Sequence, residues 1–63
     1  MKLSNILIKM YADEKLYLKL PNQPFLLNTT PDTITNEYPE YLKMGVEMIW
    51  YSQLNNGIVI EIE

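Results

Sequence analysis

Neither cysteine nor histidine occurs anywhere in these 63 residues, and that pair of absences decides how so small a chain can be held together. A chain of this length buries only about 60% of the surface it exposes when unfolded. It therefore usually needs a staple: a disulfide, a bound metal or a partner chain. A disulfide and a thiolate metal site are excluded by composition, and the commonest zinc and iron ligand is missing too. Association with another chain is the staple that remains. No cofactor and no metal are expected.

The same absences bear on function. General acid–base catalysis most often uses histidine, and nucleophilic catalysis often uses Cys or Ser beside a base. Ser4 and Ser52 have no such base available. Gly45 and Gly57 are the only glycines, so there is no glycine-rich phosphate loop. Glu61 and Glu63 share one face of a strand, but a hard-cation site needs several more oxygens. The expectation is a protein that is not an enzyme.

Composition sets further bounds. Hydrophobic residues make up 48% of the chain and the formal net charge is −3, values that fit a folded domain rather than a disordered one. Arginine is absent, which removes bidentate recognition of phosphate and guanine. The apolar run at residues 3–8 is interrupted by Asn5 and ended by Lys9, too short for the core of a signal peptide. No stretch approaches the ~20 apolar residues of a membrane span. A soluble, cytoplasmic protein is expected, consistent with the lack of cysteine. Richness in Ile, Asn, Lys and Tyr is the bias of an AT-rich genome, and short chains of this type are common in phages and other mobile elements.

Local patterning gives one α+β domain over residues 1–63. Alternation at residues 3–11 and again at 15–20 reads as two strands, paired as a hairpin over 3–20 with Met10 opposite Leu16, Ile8 opposite Leu18 and Ile6 opposite Leu20. Pro21 and Pro24 end the second strand, and residues 21–36 form a loop. Within it Phe25, Leu26 and Leu27 are expected to tuck under a helix or add a short strand. Thr30-Pro31-Asp32 has the order of a cap followed by Pro at the first helical position, consistent with one short helical turn. A main helix is expected over 37–54, capped by Asn36 and stopped at Asn55-Asn56-Gly57. Residues 58–63 form the last strand, with Ile58, Ile60 and Ile62 inward. The predicted fold is a small three-stranded antiparallel sheet (ββαβ, strand order 2-1-3) with one helix packed on one face.

That helix carries more apolar surface than a small sheet can cover. One stripe runs through Tyr38, Leu42, Gly45, Val46 and Ile49. A second runs through Tyr41, Met44, Met48 and Tyr51, with Trp50 outside both. Either the segment 25–27 folds over the second stripe, or Tyr41, Met44, Met48, Trp50 and Tyr51 form a protein interface. Tyr, Trp and Met are enriched at interface cores, and the second reading is preferred. It makes the chain a non-enzymatic protein–protein interaction module, a homodimer or higher oligomer that also binds a protein partner. A phage-encoded inhibitor of a host defence protein, acting in the host cytoplasm, would fit this size and composition.

The alternative is a small nucleic-acid-binding regulator. Lys9, Tyr11, Lys15, Tyr17 and Lys19 would share the outer face of the hairpin, and aromatics set among basic residues on a sheet can stack single-stranded nucleic acid. Four of the five lysines fall in the first nineteen residues. Glu61 and Glu63 on the same face would offset them. A third reading takes Glu37, Glu40, Glu47, Glu61 and Glu63 as a mimic of nucleic-acid charge, at a density low for that role.

Overall fold

A computed structural model describes residues 1–63. The chain begins with a short helix, α1 (Leu3–Leu7), followed by strands β1 (Leu16–Lys19) and β2 (Leu27–Thr29), helix α2 (Pro31–Glu37), a 3-10 helix (Pro39–Lys43), and strands β3 (Val46–Ser52) and β4 (Gly57–Ile62). The four strands form one mixed sheet in the order β2-β1-β4-β3. β1 runs antiparallel to β2 and parallel to β4, and β4 runs antiparallel to β3. The fold is thus α+β with a single sheet and two α-helices. The expected three-stranded antiparallel sheet of order 2-1-3 with one helix is corrected in strand number, in direction and in helix placement.

The first correction falls on residues 3–11. Leu3, Ile6, Leu7 and Met10 follow i, i+3, i+4, i+7 spacing, which is the stripe of an amphipathic helix. The alternation of Ile6, Ile8 and Met10 masked it. Leu3 and Leu7 are buried, whereas Ile8 is exposed, so the helical period is the one that packs. Five residues are too few to make a helix stable alone. Tertiary bonds hold this one: Leu3 N–H donates to Met44 O at 2.9 Å, and Lys2 bridges Gly45 in antiparallel fashion. The hairpin expected over 3–20 therefore does not form, and β1 finds its neighbours elsewhere.

The second correction falls on the helix expected over 37–54. Only Pro39–Lys43 is helical, and of the 3-10 kind. Val46, Ile49, Trp50 and Tyr51 belong to the β-branched and aromatic types that favour strands, and Val46–Ser52 is extended. Asn55-Asn56-Gly57 does not cap a helix but turns a hairpin. Ser52 pairs with Gly57, and Asn56 takes the left-handed conformation at φ 54. Asn-Gly between apolar alternating segments is a hairpin signal. The Ser52 hydroxyl fastens the loop, accepting from the Asn55 backbone N–H at 3.2 Å and from its side-chain amide at 3.0 Å.

The loop expected over 21–36 is corrected as well, since it contains β2 and most of α2, a seven-residue helix rather than a single turn; several local signals in the chain match the structure. Pro21 and Asn22 end β1 in a turn closed by Gln23 N–H to Leu20 O at 3.3 Å, with Asn22 at φ 63, as a type II turn requires. Leu27 contributes the short added strand. Thr30 caps α2, its hydroxyl accepting from Thr33 N–H at 3.1 Å, with Pro31 in the first turn. Ile58, Ile60 and Ile62 all face the core cluster, with Ile60 and Ile62 fully or nearly fully buried.

Paired residues in a sheet share a face. Leu16, Leu18, Ile60 and Ile62 meet Leu3 and Leu7 of α1 and Ile34 of α2 in a single core. Both helices therefore lie on one face. On the other face, with no helix above it, β1, β4 and β3 align Tyr17, Val59 and Trp50 in one row. Val59, in the middle of that row, is fully buried. No helix is long and apolar enough to cross a membrane.

Candidate protein interface along strand β3

β3 is an edge strand of seven residues. An edge strand presents a row of unpaired N–H and C=O groups, and proteins usually guard such edges with lysine, proline or a covering segment. Here a cover exists only at one end. Val46 N–H donates to Met1 O at 2.7 Å, so the first residues of the chain close the edge beside Gly45 and Val46. From residue 47 to residue 52 no backbone hydrogen bond is made outside the sheet ladder. Neither lysine nor proline occurs in Val46–Ser52, and Glu47 is its one charged residue. Glu47 is also the extra residue of a bulge between Val46 and Met48.

Both faces of this strand are open as well as its edge. Ile49 and Tyr51 point to the helix-bearing face, opposite Ile60 and Ile58, but the helical layer stops short of them. Their exposures are 45% and 58%. Met48 and Trp50 point to the other face, at 54% and 39%. Nine large hydrophobic side chains are exposed in the whole chain, and Met48, Ile49, Trp50, Tyr51 and Leu54 account for five of them. The concentration in one strand and its turn separates this surface from scattered exposure, which needs no explanation. Trp50 is held in place: its indole Nε1 donates to a Glu61 carboxylate oxygen at 2.7 Å. Tyr51 is held by its hydroxyl, which donates to the Asn56 side chain across the hairpin turn.

The structure divides the residues expected to form one interface. Met48, Trp50 and Tyr51 come together on β3. Tyr41 and Met44 lie outside it, half-buried and packed against the core, and Tyr41 stacks on Tyr38 with ring centroids 5.5 Å apart. Ile49 and Leu54 belong to the exposed surface and were missed, because a helical wheel put Ile49 on the buried side. Reading 46–52 with a period of two would have found it. The segment 25–27 covers none of this surface, since β2 lies at the opposite edge of the sheet.

The face expected to bind nucleic acid is also divided. Tyr17 and Lys19 sit on the outer side of β1, and Lys15 just before it places its ammonium 5.2 Å from the Tyr17 ring centroid. Lys9 and Tyr11 lie in the turns after α1, off the sheet. Glu61 is the register partner of Lys19 and of Met48, so a carboxylate stands in the middle of that face. The acids Glu37 and Glu40 lie at the ends of α2 and the 3-10 helix, apart from Glu61. A groove of about 380 Å³ beside α1 and α2, lined by Leu7, Ile8, Met10, Pro31 and Leu42, holds Asp32 as its one charged side chain. That lining offers no acid–base pair. Comparison with protein-family models, with curated proteins and with solved structures gives no match.

Proposed function

We propose that this chain is a non-catalytic protein–protein interaction module that works by adding a strand of another polypeptide to the edge of β3. The observation that carries this reading is the stretch 47–52, open along its backbone edge, with the exposed apolar side chains of residues 48–51 spread over both faces. In strand addition the backbone supplies affinity through its unpaired groups, and alternate side chains supply specificity. Both requirements meet on β3. Trp50 and Tyr51, each anchored by a hydrogen bond, are of the types that dominate binding energy at interfaces, and their fixed orientation lowers the entropy lost on binding. The sequence adds that no histidine or cysteine is available for catalysis.

Site-specific photocrosslinking tests the reading. A photoreactive amino acid at Tyr51 in the living cell is expected to give a discrete protein adduct. The same group at Asn28, exposed on the opposite edge strand, is expected to give none. Adducts of equal yield at both positions, or none at Tyr51, would contradict it.

A further inference from the structure

We infer that two copies pair β3 with β3 antiparallel about a twofold axis through Trp50, joining two four-stranded sheets into one of eight strands. The inference rests on the interaction reading above and names the occupant of that surface.

Symmetry and register decide the geometry. Both copies present the same edge, so regular pairing is antiparallel, and a closed dimer is isologous. Opposed residues must point to the same face. The twofold axis therefore passes through a residue of the strand, and three centres keep the pairing on the open stretch. Centring on Ile49 draws Glu47 into the ladder opposite Tyr51 of the second copy, and Glu47 is the extra residue of the bulge, which interrupts regular pairing. Centring on Tyr51 draws Gln53 and Leu54 into the ladder, and both belong to the hairpin loop between Ser52 and Gly57. Centring on Trp50 pairs residues 48–52 with themselves. Every one of these lies within β3 and beyond the segment closed by the first residues of the chain.

The side chains that meet in this register are complementary. Trp50 faces Trp50 of the second copy, and Ile49 faces Tyr51 of the second copy twice over. Aromatic–aromatic and aromatic–β-branched pairs are favourable cross-strand partners. Met48 faces Ser52. Glu47 lies outside the paired residues 48–52, so the only charge on the strand meets no like charge directly across the ladder. A strand pair of this length buries an area near or below the lower end of specific interfaces, roughly 1,200 Å². The dimer is thus expected to dissociate on dilution.

A single-cysteine scan reads the register directly, because the chain contains no cysteine of its own. Trp50→Cys, oxidised with excess oxidised glutathione, is expected to give a disulfide-linked dimer in high yield. Ile49→Cys and Tyr51→Cys are each expected to stay unlinked alone and to link to one another when mixed. This arm leaves Trp50 in place and guards against misfolding of the first variant. Cross-linking that is strongest for Ile49→Cys alone or Tyr51→Cys alone would overturn the Trp50-centred register. No cross-link at any position, with a monomeric mass for the unsubstituted chain, would overturn self-pairing. In that case a heavier, heterologous adduct at Tyr51 in cells would leave the interaction reading standing, and the absence of any adduct would remove that as well.

Discussion

The indole of Trp50 and the carboxylate of Glu61, eleven residues apart in sequence, meet across the β3–β4 hairpin in a hydrogen bond of 2.7 Å. Glu61 sits two residues along β4 from Val59, the register partner of Trp50, so the contact is a diagonal one on a single face. Val59 is fully buried although it lies outside the main core cluster. Trp50 is the only tryptophan, so its emission reports on this one contact.

Removing the acceptor is expected to free the ring. Glu61→Ala should lower the fluorescence anisotropy of Trp50 at high dilution and cost no more than about 1 kcal/mol in urea unfolding, because the bond is solvent-exposed. Unchanged anisotropy would show that packing alone orients the indole.

Tyr17 and Gly57 form the matching contact on the other side of Val59. A Cβ at Gly57 would lie 2.9 Å from Cε2 of Tyr17, and the Tyr17 hydroxyl donates to Asn55 O at 3.2 Å, which ties the ring over the glycine. Gly57→Ala is therefore expected to destabilise the fold by about 1–3 kcal/mol, the usual cost of overpacking. In the background of Tyr17→Ala the same substitution should cost much less. The coupling in such a double-mutant cycle is the measurement, and additive effects would contradict the contact.

Ile34 tests the structure against the simpler expectation of a loop over 21–36. It is fully buried in the core beneath α2. Ile34→Ala should cost about 2–5 kcal/mol, against a total of roughly 3–9 kcal/mol for 63 residues at the usual 0.05–0.15 kcal/mol per residue. The melting temperature should fall steeply or the cooperative transition disappear. A change within about 0.5 kcal/mol, as at an exposed loop site, would show that α2 does not pack as described.

How much of this was legible in the sequence differs from element to element. Thr30-Pro31, Pro21-Asn22 and the alternation of Ile58, Ile60 and Ile62 carry their structure locally, and each was readable. For residues 3–10 both a period of two and a helical period were present, and the choice depended on what Leu3 and Leu7 could pack against. Residues 46–52 hold a clear β-preference, but apolar side chains on every side of a helical wheel read equally as a surplus of surface and as evidence against a helix. The Asn56-Gly57 pair serves a helix end and a hairpin equally well until the flanking segments are known. The parallel pairing of β1 with β4 had no local signal at all, since it joins segments some forty residues apart. Of the candidate site, the residue types of Met48, Trp50 and Tyr51 pointed to an interface from sequence alone. The open edge that unites them with Ile49 required the sheet order.

The most direct test of the account is the solution mass of the purified chain by light scattering, compared with that of Ile49→Lys across dilutions up to millimolar concentration. Ile49 is half exposed at the edge, so the lysine should be tolerated by the folded monomer, and circular dichroism should match at high dilution. The account predicts a mass rising towards twice 7.4 kDa for the natural chain and a single-chain mass throughout for Ile49→Lys. A natural chain that stays monomeric at every concentration, or a dimer that Ile49→Lys leaves intact, would contradict it.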